Sequence, residues 1–481
     1  MTVTDKELDF NAVSPLDGRY RKKTAELAPH FSQLALDRAR TRVEVEYLIS
    51  LAQLDAVSLK FAEEEIAQLR EIYEKFSEEE GKLVAKIERE GYEDIPATNH
   101  DVKAVEYFIR KELKERGLKK AIPLVHFALT SEDTNNLAYG LMIKGGLEEV
   151  LLPKLGQVQR KMIELAEKNK GLPLLARTHG QPATPTTLGK EMAVFVARLK
   201  DVLEDLAEGK EELKGKMAGA SGNLNAHRIA YPAVNWIDFS KQFVKKMGLR
   251  PNLTVTQIEP HDSWGKIFLL LTQANNVLID MATDIWQYVS YGYLIQRQEE
   301  GEVGSSTMPH KLNPIDFENA EGNLNKSNSD LEFLARYLSQ SRMQRDLSDS
   351  TVTRNIGVAL AHALIGFKSI LRGLNKLEPS RTRLREDLEE RPEIMSEAWQ
   401  TLLRKNGEEK AYETIKDLTR GKELDREKVE KIVKSLSLPE GEREKLENLS
   451  PSSYIGEAEK LTQLATSSAR KSLKDLSFNS S

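Results

Sequence analysis

A chain of 481 residues with 40% hydrophobic and 30% charged side chains has the apolar material for a large core and the polarity of a protein in water, which excludes disorder and a membrane-embedded fold. A formal net charge of −5 offers no counterpart to a nucleic-acid backbone, so no nucleic-acid partner is expected. The absence of cysteine excludes disulfides, thiolate zinc sites and cysteine nucleophiles together, and fits a reducing compartment.

The opening residues "MTVTDKELDF" carry acids where a secretion signal has a basic region, so a cytoplasmic location is expected. No run approaches the roughly 18 apolar residues of a spanning helix, and no membrane partner is expected. "VSPLDGRY" (13–20) brings Arg19 and Tyr20 on a segment with no obvious core role. Val43, Tyr47, Leu48, Leu51 and Leu54 then predict an amphipathic helix. In "TNHDVKAVEYF", Asn99 is the expected cap of a helix that starts near His100 and Asp101. The polar segment "HFALTSEDTNN" (126–136) follows.

"RTHGQPATP" places His179 in a rigid turn before a long helix, whose buried stripe is Met192, Phe195, Val196, Leu199, Leu203 and Leu206. After the polar segments "AGASGNLNAH" and "TVTQIEPHD", residues 267–295 are apolar nearly all round, as in a helix inside a bundle. "GEVGSSTMPHKLNP" (301–314) cannot be a helix, because Pro309 and Pro314 remove donors and two glycines free the backbone. "SRMQRDLSDSTVTRN" (341–355), an apolar helix over 358–377 and a charged helix around Val429, Ile432, Val433 and Leu436 complete the chain. No alternating strand pattern of useful length and no βαβ rhythm appears, so an all-α fold is expected. Composition divides it into an N-terminal helical block 1–121, a central long-helix block 122–378 and a C-terminal helical block 379–481 with a polar tail.

A histidine held ahead of a helix is either a satisfied turn residue or a general acid, since its ordinary pKa of about 6.5 lets it donate near neutrality. Metal binding is a poor reading of His100 or His179: there is no H-E-x-x-H and no zinc-like spacing. Arg345 and Arg354 interleaved with Ser348, Ser350 and Thr351 read as a solvated face or as forks for a phosphate monoester. The 301–314 segment has neither a G-x-S-x-G elbow nor a phosphate-binding P-loop. It offers hydroxyls at Ser305 and Ser306, glycine-freed amides and the Lys311 ammonium. Those groups suit a serine acting as a base, or the binding of a substrate carboxylate.

"GSSTMPHKLNP" matches the G-S-S-x-M-P-x-K-x-N-P signature of the fumarase/aspartase lyase superfamily. With "IDFENAEGN", "RTHGQPATP", "TNHDVKAVEYF", "TSEDTNNL" and "TQIEPHD", the chain resembles the adenylosuccinate lyase family of bacterial type. The resemblance implies a three-domain, all-helical fold whose long helices form a twenty-helix core in a homotetramer with shared active sites. It implies β-elimination of fumarate from adenylosuccinate and from succinyl-aminoimidazole-carboxamide ribotide (SAICAR), with no cofactor or metal. By that resemblance Ser305 is the base, His179 the acid and Glu318 the residue that orients His179. Lys311, Asn313, Ser306, Thr130 and Ser131 hold the succinyl carboxylates. His100, Asn99, Asp101, Gln257 and Asn319 line the nucleotide and carboxylate region, with His100 also counted among the catalytic groups. Arg19, Tyr20, Arg345, Ser350 and Arg354 take phosphate and ribose. The alternatives are argininosuccinate lyase or another sibling enzyme, whose substrates carry no phosphate, and a catalytically silent helical scaffold.

Overall fold

Apolar residues at three- and four-residue steps become the buried faces of helices throughout the computed structural model, which describes residues 10–297, 308, 311–421 and 424–476. The fold is all-α. Leu188–Glu211 buries every residue of its expected stripe. Asp262–Ser290, 29 residues long, buries Trp264, Ile267, Phe268, Leu271, Leu278, Met281 and Ile285, but leaves Leu269 and Trp286 exposed, so its apolarity is not all inward.

That helix stops at Ser290, short of the expected Ile295. Gly292 takes φ +74 and the Tyr293 amide returns to the Tyr288 carbonyl at 2.8 Å, a left-handed helix ending for which glycine has no Cβ penalty. Leu294–Gln296 continues as a short strand paired antiparallel with Leu377–Pro379. One stretch comes nearer to a spanning helix than expected: within Ser348–Lys376 an 18-residue window reaches mean hydropathy 1.3, yet 67% of that window is buried in the protein, as in a core helix.

The chain separates into two compact units. The first comprises Met1–Lys154, Val202–Asn275 and Asn323–Gly366, and the second Leu155–Asp201, Asn276–Gly322 and Phe367–Ser481. In the first, Gln33–Ala52 packs with Glu63–Glu74, Glu78–Arg89 and Asp101–Glu115 around Leu48, Ile49, Leu69, Ile72, Phe76, Val105 and Phe108. The Phe76 and Phe108 rings meet edge to face at 5.4 Å, and burial of each such side chain stabilises by roughly 1.5–3 kcal/mol. Gln33–Ala52 also buries Asp37, Arg40 and Glu44, three and four residues apart, so one face of this helix is a polar floor. In the second unit, Leu175, Leu388, Ile394, Trp399, Leu403, Val433 and Leu446 form a separate core.

The sequence reading missed a hairpin. Pro173–Thr178 pairs antiparallel with Gln181–Thr187, and the two residues between them, His179 and Gly180, both have positive φ, +55 and +75. That is the backbone twist a two-residue hairpin turn requires. Pro182 and Pro185 lie in the second strand and obscure its alternation. They are tolerated because a two-stranded hairpin has only edge strands.

Candidate active site

Seven of the expected substrate-binding residues line one cavity of about 280 Å³ in the first unit: Asn99, His100, Asp101, Ser131, Arg345, Ser350 and Arg354. The Asp101–Glu115 helix starts on His100, not on Asn99. His100 is extended at φ −152, and its Nδ1 accepts the Lys103 amide at 3.3 Å. Asn99 precedes it at φ +48, a conformation asparagine tolerates. With Nδ1 accepting, a neutral His100 carries its proton on Nε2, 3.3 Å from Ser131 Oγ.

Asp101 is clamped by two guanidiniums, Arg40 Nη2 at 2.8 Å and Arg354 Nη2 at 2.9 Å. Burial alone would raise its carboxyl. The two arginines, Arg40 foremost, outweigh that and hold it below the usual carboxylate range. Arg345 donates to Asp349 at 2.7 Å and stands 3.5 Å from Glu132. Ser350 Oγ donates to the Leu347 carbonyl at 2.9 Å.

Thr130 caps the next helix, Ser131–Gly146, and its amide donates to Asp133 at 2.9 Å. Asp133 is fully buried and also accepts Lys216 Nζ at 2.9 Å and the Ala218 amide at 2.7 Å. One carboxylate thus fixes the 216–219 segment against the helix start. Gln257 in turn donates to the Ala220 carbonyl at 2.9 Å. Thr130, Gln257, Arg19 and Tyr20 are not part of the cavity wall. Tyr20 lies in the N-terminal turn, with Lys23 Nζ 5.3 Å from its ring centroid.

By spacing, Glu132, His261 and Asp349 would suit a cation, since their ligand atoms lie within 4.8 Å of one another. The Arg345 guanidinium already supplies positive charge to both carboxylates, and we assign no metal there.

His179, Glu318, Lys311, Asn313 and Asn319 belong to the second unit. His179 is exposed at the tip of its hairpin. Two residues back, Arg177 donates to Asp387 at 2.6 Å and to the Tyr293 hydroxyl at 3.3 Å, and stacks 5.0 Å from the Tyr291 ring centroid. The stem of the His179 turn is therefore anchored although its tip is free to meet solvent. Glu318 accepts Trp286 Nε1 at 3.1 Å, and among the described residues no hydrogen bond joins it to His179 within one chain. Asn319 accepts from Ser369 at 2.8 Å. The Lys311 amide donates to the Met308 carbonyl at 3.0 Å and its side chain is exposed. Ser305 and Ser306 lie outside the described residues.

Comparison with known proteins decides the family. A family model described as "Lyase" matches residues 17–326, and one described as "Adenylosuccinate lyase C-terminal" matches 341–455. The chain is 45% identical over 457 residues to adenylosuccinate lyase of Legionella pneumophila (strain Corby), covering 94% of this chain and 98% of that one. It is 46% identical over 452 residues to adenylosuccinate lyase of Escherichia coli (strain K12), covering 93% and 97%. The chain belongs to the adenylosuccinate lyase family. Its fold is also that of 3-carboxy-cis,cis-muconate lactonizing enzyme from Pseudomonas putida, with a TM-score of 0.68 at 22% identity over 91% of this chain and 96% of that one.

For this family member, sequence reasoning missed Arg40, Glu132, Tyr139, His261, Trp264 and Asp349 in the cavity wall. Arg40 left a signal: Leu36, Arg40, Val43 and Tyr47 follow one helical stripe, so a guanidinium sits where an apolar residue belongs. All four are buried. The other five gave no periodic signal.

Proposed function

We infer that the chain is a carbon–nitrogen lyase that eliminates fumarate from adenylosuccinate, leaving AMP, and from SAICAR, leaving the carboxamide ribotide. Near-full-length identity of about 45% to adenylosuccinate lyases carries this conclusion. The paired guanidiniums and hydroxyls of the first-unit cavity support it, because a phosphate monoester asks for such groups and argininosuccinate has no phosphate.

The reading assigns the following chemistry. Ser305, its alkoxide favoured by neighbouring amides and Lys311, takes the proton from the carbon beside a succinyl carboxylate. The pair left on that carbon forms the C=C bond of fumarate as the C–N bond on the adjacent carbon breaks, and the C–N pair goes to nitrogen, which His179 protonates. Glu318 orients His179. Lys311, Asn313, Ser306, Thr130 and Ser131 meet the charge that spreads onto the carboxylates. Asn99, His100, Asp101, Gln257 and Asn319 hold the nucleotide and the succinyl arm, and Arg19, Tyr20, Arg345, Ser350 and Arg354 hold phosphate and ribose. We further propose a homotetramer in which more than one subunit contributes to each site; the exposed Leu269, Trp286 and Phe333 on long helices support such packing.

The purified protein should convert adenylosuccinate with the change in purine absorbance that loss of the succinyl arm causes. Turnover of argininosuccinate with none of adenylosuccinate would overturn the reading. Ser305→Ala and His179→Ala should each be inactive, and re-formed hybrids of the two should recover activity. Hybrids that stay inactive would argue for self-contained sites.

A further inference from the structure

One buried group in the first-unit cavity has no part in the chemistry above. Glu132 is nearly inaccessible, and its closest nitrogen partners are distant: Arg345 Nη2 at 3.5 Å and His261 Nε2 at 3.8 Å. Neither makes a close contact with it. Arg345 gives its shorter contact, 2.7 Å, to Asp349. His261 lies 3.2 Å from Glu259 through Nδ1 and stacks on Trp264 at 3.9 Å. Glu259 is further held by Asn252 at 2.8 Å and by the His261 amide at 2.6 Å. Lys216, which also acts on Glu132, is paired with Asp133.

The charges facing Glu132 are therefore Arg345 and Asp349 from the 345–349 segment, His261 ahead of the Asp262–Ser290 helix, and Lys216 from the 214–219 segment. Burial pushes the Glu132 carboxyl up, His261 and Arg345 pull it back, and Asp349 adds to the rise, leaving it at about 7. Asp349 Oδ1 is buried with no hydrogen-bond partner. Two carboxylates thus share one guanidinium in a site already rich in negative charge.

On the reading that Arg345 also receives the nucleotide phosphate, that guanidinium must then serve three anions. We propose that Glu132 is a proton-linked positioning residue: it is ionised while Arg345 holds no ligand and takes up a proton when a phosphate monoester docks on that guanidinium. Uptake frees the Nη2 edge of Arg345 for the phosphate and removes one repelling charge. The sign follows from linkage. Near pH 8 the phosphate is already a dianion and free Glu132 is mostly ionised, so binding requires a proton and weakens as pH rises. Phosphate ionisation alone gives the opposite slope, below about pH 6.5.

The test is calorimetric titration of the intact wild-type protein with AMP at pH 8, in buffers of different ionisation heat. The expected result is uptake of more than about half a proton per site, and an affinity that falls several-fold between pH 7 and 9. Glu132→Gln should abolish both effects, and His261→Gln should leave uptake in place. AMP that binds the wild type with no proton uptake overturns the proposal and leaves the functional reading standing. AMP that fails to bind at all overturns the phosphate reading and the proposal with it. Undiminished uptake in Glu132→Gln assigns the proton to another group and also overturns it. Should Glu132→Gln fail to fold, Glu132→Met replaces it, expected to bind AMP without proton uptake; undiminished uptake there overturns the proposal.

Discussion

Neighbouring carboxylates at the start of the Ser131–Gly146 helix face two different regions and behave in opposite ways. Asp133 turns toward the 216–219 segment, where Lys216 and the Ala218 and Gly219 amides donate to it, joined by the Thr130 amide of its own helix start. Burial would raise it, but those donors, Lys216 foremost, hold it below the usual range. Glu132 turns toward the 345–349 segment, where a shared guanidinium and a distant imidazole leave it near 7. Burial is nearly complete in both. Donors, not depth, decide which charge survives folding. The first region is built to hold the fold together, and the second keeps a titratable group beside the arginine we propose as a phosphate ligand.

Three changes break or sharpen this contrast. Lys216→Met leaves the Asp133 carboxylate buried without its cation, which should cost about 3–5 kcal/mol in urea unfolding of the assembled protein. A loss under about 1 kcal/mol would mean that the two regions do not differ as described.

Glu132→Gln should act the other way and depend on pH. The folded carboxyl lies near 7 and the unfolded one at its ordinary 4.5. Its stabilising proton is thus fully present below 4.5 and lost as pH rises through 7, a change of about 3 kcal/mol at most. The variant should be more stable than the wild type at pH 8 and less distinct from it at pH 5, read by thermal unfolding. For Asp133 and Asp101 the sign is reversed: their folded carboxyls are depressed, so their contribution is present above about 4 and fades as pH falls further.

Arg345→Met should raise KM for adenylosuccinate roughly ten- to a hundredfold, the worth of a charged hydrogen bond, with a smaller effect on kcat. Stability should fall as well, because the buried Asp349 loses the guanidinium it accepts at 2.7 Å, whereas Glu132 can neutralise. A variant that unfolds with KM intact would place Arg345 in the scaffold and not in the site.

Much of this was legible in the sequence because helices announce themselves by period. The stripe from Met192 to Leu206 is buried residue for residue. The polar segments between helices carried the cavity residues, and the arginines interleaved with hydroxyls at 345–354 do line it. What stayed hidden depends on partners far apart in the chain. The hairpin around His179 was masked by prolines in its second strand, and the helix end at Ser290 by the apolar residues beyond Gly292. Asn99 looked like a cap by residue type, but the imidazole of His100 accepts the amide instead. Nothing in "TSED" distinguishes Glu132 from Asp133; their charges separate only when 216–219 and 345–349 arrive from elsewhere.

The most direct test of the account is a structure of the assembled protein with AMP bound. The account places the phosphate within hydrogen-bond distance of Arg345 and Arg354 in the cavity lined by His100 and Ser131. AMP well ordered elsewhere, with that cavity still holding only the Asp101 and Asp349 ion pairs, would contradict it.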